Sequence, residues 1–140
     1  MGANVVLCAP PTLLPADFSH VTRVDGGHPF AEVEVETSIE RALGGADVVM
    51  ALRLQLERQS SGLLPSFREY SRMYGITSRR LQKAKPGVLV MHPGPMNEGV
   101  EIDSDVAHGS KSLIEEQVNN GVAVRMALLY RLATPAQSVD

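Results

Sequence analysis

The sequence predicts an open α/β fold, a parallel sheet with helices on both faces. Three observations point there. Short, continuously apolar runs recur along the chain, and a strand apolar throughout is one buried on both sides. Stretches with helix signals separate these runs, which is the alternation that builds parallel sheets. The chain has 140 residues, 44% of them hydrophobic, enough for one domain with its own core.

The elements follow in order. Asn4 to Ala9 (NVVLCA) reads as a buried strand that stops at Pro10-Pro11, because proline cannot extend a sheet ladder. Thr12 to Phe30 reads as irregular, with Pro15, Gly26-Gly27 and Pro29. Ala31 to Glu36 (AEVEVE) alternates strictly, the pattern of a half-exposed strand near an edge. Thr37 is expected to open a helix, with Glu40 completing a capping box and Gly44-Gly45 closing it. Asp47 to Leu52 (DVVMAL) is a second buried strand. Gly62 to Tyr74 carries Pro65 at a first helical position, then an amphipathic stretch ending at Gly75. Thr77 to Lys85 reads as a short helix, and Gly87 to Met91 as a third buried strand. Ser110 to Leu132 reads as one long helix, with Ile114, Val118, Val122, Met126 and Leu129 at helical spacing and Gly121 weakening its middle.

Composition removes several function classes. The formal net charge is -3 with no block of like charge, which speaks against nucleic acid or an anionic membrane as partner. No apolar run approaches the ~18 residues of a membrane span. The start, Met1 to Val5, enters a strand almost at once, so no signal peptide is expected. The single cysteine, Cys8, lies in an apolar run and reads as a buried thiol in a reducing compartment, so a cytoplasmic location is expected. No Cys/His spacing suits a metal, and Pro-Pro rather than G-x-G-x-x-G follows the first strand, so neither metal nor dinucleotide cofactor is expected. His20, His28 and His108 have the setting of surface loops. Glu115-Glu116 suits the solvated first turn of the last helix, and Arg79-Arg80 reads as surface charge.

Ligands of open α/β sheets bind beyond the carboxyl ends of the strands, and two strands here end unusually. DVVMAL runs into Arg53-Leu54-Gln55-Leu56-Glu57-Arg58. In extended backbone Arg53, Gln55 and Glu57 share a side. A planar guanidinium fork and an amide suit a small ligand with a carboxylate and an amine. The plainer reading is a solvated, charged strand end. The other strand ends on His92-Pro93-Gly94-Pro95. Residues before proline are held extended, and the prolines bring no N–H. The carbonyls of this stretch are therefore acceptors on a stiff frame, fit for a ligand NH2, and a cis Gly94-Pro95 bond is open to it. The plainer reading is a rigid loop that stops a strand.

Four segments in this order, APPTLLP (Ala9 to Pro15), ADVVMALRLQLER (Ala46 to Arg58), HPGPMNEGVEI (His92 to Ile102) and NNGVAVRMALLYRL (Asn119 to Leu132), resemble the carboxy-terminal, aspartate-binding domain of aspartate carbamoyltransferase catalytic chains. The resemblance covers nearly the whole chain. It implies that residues 1–140 form one Rossmann-like half of a carbamoyltransferase. It implies that Arg53 and Gln55 bind L-aspartate, and that the backbone carbonyls of Gly94 and Pro95 bind carbamoyl phosphate, supported by His92 and Pro93. It implies that Leu56 to Tyr74 form a loop that closes over the ligands. It also implies that the final helix, about 110–132, packs on an amino-terminal carbamoyl-phosphate domain absent from this chain.

The chain lacks the family's S-x-R-T-R phosphate motif, its carbonyl-polarising histidine and its H-S-R-V-A arginine. The resemblance therefore implies a partial site, no complete catalytic set, and a chain inactive by itself. Its implied partners are the missing domain, further copies forming a trimer, and dihydroorotase or regulatory chains. Relatives with the H-P-G-P-x-N-x-G pattern usually carry arginine where this chain has Glu98. That reversal keeps open a non-catalytic domain acting as a structural or regulatory partner. The ornithine enzymes usually show H-C-L-P, and Pro93 stands where their cysteine would be.

Overall fold

The computed structural model describes residues 2–14, 30–55 and 66–134. Strand β1 (Ala3–Cys8) pairs in parallel with β2 (Phe30–Glu36), and β3 (Val48–Met50) in parallel with β4 (Leu89–Met91). Parallel neighbours need long crossovers. Between β3 and β4 the crossover carries helices α2 (Phe67–Tyr74) and α3 (Ser78–Leu81). Helix α1 (Ile39–Ala42) links β2 to β3, and α4 (Ser104–Ala107) and α5 (Ile114–Ala133) follow β4. The class is the predicted α/β with parallel strands, although the described strands form two two-stranded ladders rather than one sheet.

Alternate residues of a strand face opposite sides, and that places the core. Val49 and Val90 point inward, 8% and 0% exposed, against Leu43, Leu81, Val88, Ile102 and Val106. Val48, Met50 and Leu89 point outward and are 41–51% exposed. Beyond β4, Lys111 to Leu113 continue the pairing: Val90 N–H donates to Lys111 O and Leu113 N–H to Val90 O, both at 2.8 Å. The same residues thread the chain straight into α5.

Several boundaries differ from the sequence reading, each for a local reason. Ser38, not Thr37, caps α1 and accepts the Arg41 N–H. The Thr37 and Ser38 N–H groups instead donate to the Glu36 carboxylate, at 2.7 and 2.8 Å. Ser66 caps α2 by accepting Glu69 N–H; Pro65 lies outside the described residues. α2 stops at Gly75 as expected, but with φ −56. Glycine is needed there for closeness, since a Cβ would meet Ser71 O at 2.6 Å and Val100 O at 3.0 Å. Thr77 caps α3, which ends at Leu81 rather than Lys85. The last helix starts at Ile114, not Ser110, because residues 111–113 are engaged with β4. Helix α4 has four residues and no apolar period, so the sequence carries no sign of it.

Arg80 corrects a second expectation. It is not loose surface charge: its side chain is 17% exposed, and it donates to Arg72 O at 2.6 Å, Gly75 O at 2.7 Å and Ser71 O at 3.4 Å. Its Nε meets Glu40 at 3.1 Å. One guanidinium thus bonds three carbonyls at the end of α2, of which Ser71 O also accepts Gly75 N–H at 3.0 Å, and ties that helix to α1. Tyr74 adds a second tie, its hydroxyl donating to Thr37 O at 2.9 Å. Cys8 is half-buried rather than buried, and burial raises its thiol pKa, helped by Glu36 and Glu40.

Candidate active site

The carboxyl ends of β3 and β4 lie side by side because the strands are parallel neighbours. A cleft of about 1190 Å³ runs along β1 and β3 and is lined at this end by Cys8, Arg53, Leu54, Gln55, Tyr70 and Glu101. Arg53 and Gln55 are exposed, while Leu54 between them is buried. The alternation proposed from the sequence is therefore real: Leu54 anchors the segment and the two polar side chains face outward. Glu57 lies outside the described residues, as do residues 56–65 of the expected closing loop. The described remainder of that stretch is the capped helix α2.

At the end of β4 the His92-Pro93-Gly94-Pro95 turn contains a cis Gly94–Pro95 bond. Gly94 has φ +66, the left-handed region that favours glycine. A Cβ there would also sit 3.2 Å from Val118 Cγ2 of α5. Among the described residues, no backbone N–H donates to the carbonyl of Gly94 or Pro95. Gly94 and Pro95 do not line the cleft that holds Arg53 and Gln55. The two strand ends are joined instead through Asn97, whose Nδ2 donates to Leu54 O at 3.3 Å.

Beneath the turn lies a buried polar network. His92 is fully buried and Glu101 is 2% exposed. The His92 N–H donates to Gln117 Oε1 at 2.8 Å, and Gly94 N–H donates into His92 Nδ1 at 2.8 Å. A ring nitrogen that accepts carries no hydrogen, so the ring hydrogen lies on Nε2, facing Glu101 Oε1 at 3.3 Å. That contact falls short of hydrogen-bond geometry. The same Oε1 accepts Asn97 N–H at 2.5 Å. Burial, with Glu101 nearby, pushes the Tyr70 hydroxyl up to about 12.

Glu98 turns away from this network. Its carboxylate is held below the usual range by Ser104 first and then by His108, whose Nε2 lies 3.1 Å away. His108 is accordingly an exposed residue with a partner on the loop. Sequence reasoning found Arg53, Gln55 and the proline turn but missed Asn97, Glu101 and Gln117. A signal existed for Glu101, a lone charge between Val100 and Ile102. None existed for Gln117, which reaches His92 from 25 residues away. Among the described residues no cluster of three or more His, Cys, Asp or Glu is arranged to hold a metal.

Polar groups gathered at neighbouring parallel strand ends are the arrangement with which α/β domains hold ligands beyond the sheet. Residues 1–132 match the model of the aspartate/ornithine carbamoyltransferase family's Asp/Orn binding domain, and the chain belongs to that family. It is 55% identical over 130 residues to the aspartate carbamoyltransferase catalytic subunit of Dehalococcoides mccartyi strain CBDB1, covering 93% of this chain and 38% of that one. The corresponding subunit of Chloroflexus aurantiacus strain J-10-fl is 56% identical over 134 residues, covering 95% and 41%. The chain thus spans about two fifths of the length of these relatives. Aspartate transcarbamoylase from Trypanosoma cruzi superposes with a TM-score of 0.67 at 26% identity, over 91% of this chain and 40% of that one. A mitochondrial ornithine carbamoyltransferase from Coccidioides immitis reaches the same TM-score at 20% identity, over 90% and 38%, a likeness of fold alone.

Proposed function

We propose that this chain is the aspartate-binding domain of an aspartate carbamoyltransferase. Such an enzyme moves the carbamoyl group of carbamoyl phosphate to L-aspartate, giving N-carbamoyl-L-aspartate and phosphate in de novo pyrimidine biosynthesis. The observation that carries this reading is the pairing of two strand ends. One bears Arg53 and Gln55, the other the cis Gly94–Pro95 turn, and Asn97 joins them.

In the reaction, the aspartate amine forms a bond to the carbamoyl carbon. The carbon–oxygen bond to phosphate breaks, its electron pair leaves with phosphate, and the amine sheds a proton. Arg53 would hold a carboxylate of aspartate by its guanidinium fork. Gln55 would donate to or accept from the same ligand. The Gly94 and Pro95 carbonyls would accept from the carbamoyl NH2, with Pro93 stiffening the turn. The protein forms no covalent intermediate, and the scheme uses no cofactor or metal. Its work is positioning and electrostatic stabilisation.

The phosphate clamp would come from an amino-terminal domain, on which α5 packs, in a cytoplasmic trimer that dihydroorotase or regulatory chains could join. The length of the relatives supports that missing domain. The test mixes this chain with a separately produced amino-terminal half and assays carbamoyl aspartate. Activity is expected in the mixture alone, and Arg53→Ala should raise KM for aspartate by at least tenfold. A bound but silent mixture would favour a non-catalytic partner domain, with Glu98→Arg then expected to restore turnover.

A further inference from the structure

We propose that Glu101 is a positioning residue that, together with His92, clamps both ends of the Gly94–Pro95 turn and so fixes the direction of its carbonyls. The geometry is specific. Glu101 Oε1 accepts the N–H of Asn97, on the far side of the turn, at 2.5 Å. The same oxygen lies 3.3 Å from His92 Nε2. The opposite edge of that ring accepts Gly94 N–H, on the near side, at 2.8 Å. One carboxylate oxygen thereby bonds residue 97 directly and lies against the imidazole that bonds residue 94, a 3.3 Å contact outside hydrogen-bond geometry.

Burial argues that this arrangement serves more than stability. His92 and Glu101 are 0% and 2% exposed. Glu101 Oε2 is buried without a hydrogen-bond partner among the described residues. A buried carboxylate is costly, and an apolar residue of similar volume is often as stable or more so. A turn made from two prolines and a left-handed glycine leaves few N–H groups to hold it. Of the N–H groups on Gly94, Met96 and Asn97, the pair engages the two on Gly94 and Asn97. Glu101 itself is immobilised, since its carbonyl accepts Ile76 N–H at 3.0 Å and Ile76 O accepts Asp103 N–H at 3.0 Å. The clamp thus transmits the position of the α2–α3 connection to the turn. Gln117, accepting the His92 N–H, adds the position of α5.

The catalytic consequence rests on the carbamoyltransferase reading above, whereas the clamp does not, so the test has two arms. The first uses the 140-residue chain, reading amide hydrogen exchange of Gly94 and Asn97 and the ring-nitrogen resonances of His92. Wild type is expected to show the hydrogen on Nε2. Glu101→Ala should speed exchange at both amides by about tenfold or more, the effect of losing a hydrogen bond to a charged group. Glu101→Gln keeps an oxygen at the same place and should stay within about threefold. Unchanged exchange in Glu101→Ala, or a loss in Glu101→Gln as large as in alanine, overturns the clamp. Should alanine fail to fold, the glutamine variant alone decides.

The second arm adds the amino-terminal half and measures carbamoyl transfer. Glu101→Ala is expected to lower kcat at least tenfold while KM for aspartate stays within about twofold, with Glu101→Gln restoring most of the rate. A normal kcat in Glu101→Ala overturns the positioning role while the enzyme reading stands. An inactive wild-type mixture with a clamp verified in the first arm would count against the enzyme reading alone.

Discussion

Glu36 shows how much one carboxylate can organise. It accepts the N–H groups of Thr37 and Ser38 and meets both Arg41 Nε and Nη2 at 2.7 Å. Its pKa is lowered to about 2, chiefly by the Arg41 hydrogen bond and then by Ser38. A depressed folded-state pKa adds stability that is present above the ordinary carboxylate value and lost as pH falls through the folded one. The entry to α1 should therefore weaken between about pH 4.5 and 2. Glu36→Gln is expected to flatten that part of the stability curve by lowering stability at neutral pH towards the acid value. Denaturant midpoints of both proteins at intervals across the window would reveal it. A wild-type slope retained in the variant would assign the acid sensitivity to another group.

At the scale of elements, α2 is set by its ends rather than by its middle. Ser66 closes one end, and at the other Gly75 permits close approach while Arg80 bonds three carbonyls. Arg80→Ala would leave those carbonyls, two of them in part-buried bonds, without their charged donor, at a cost of about 1–3 kcal/mol. Arg79 is exposed, and Arg79→Ala should stay within about 0.5 kcal/mol. Urea unfolding of the pair of variants separates them, and equal effects would refute the capping role. The contrast also shows a limit of sequence reading. Two adjacent arginines look identical until the fold gives one of them carbonyls to hold.

For the whole molecule the deciding feature is the last helix. Among α5 residues only Ile114 is buried, while Val122, Val124, Met126, Leu129 and Leu132 are 47–84% exposed. An apolar surface of that extent promotes association unless covered. The isolated chain is expected to self-associate in a concentration-dependent manner. Met126→Glu with Leu129→Glu should reduce that association and also weaken pairing with an amino-terminal half at least tenfold. Sedimentation velocity of the chain, alone and mixed, measures both. A monomeric wild type, or a double variant that pairs normally, would remove α5 as the docking face.

The parallel α/β class, the places of the three apolar strands, the exposed side chains at 53 and 55 and the stiff turn after β4 were legible in the sequence. Each depends on local matters: apolar period, proline's missing N–H, the alternation of a strand. The expected burial of those strands on both sides was not met, since β1 has no buried residue and β3 and β4 each bury one. Which hydrogen bonds hold the turn was decided by tertiary structure alone. Glu101 lies nine residues beyond His92 and Gln117 lies 25 beyond, and only the packing of α5 and the Ile76 bridge brings them together. The role of Arg80 was hidden for the same reason, because its partners are carbonyls that every residue possesses. Local chemistry restricts backbone shape, whereas the partners of a buried polar atom are set by where distant elements come to rest.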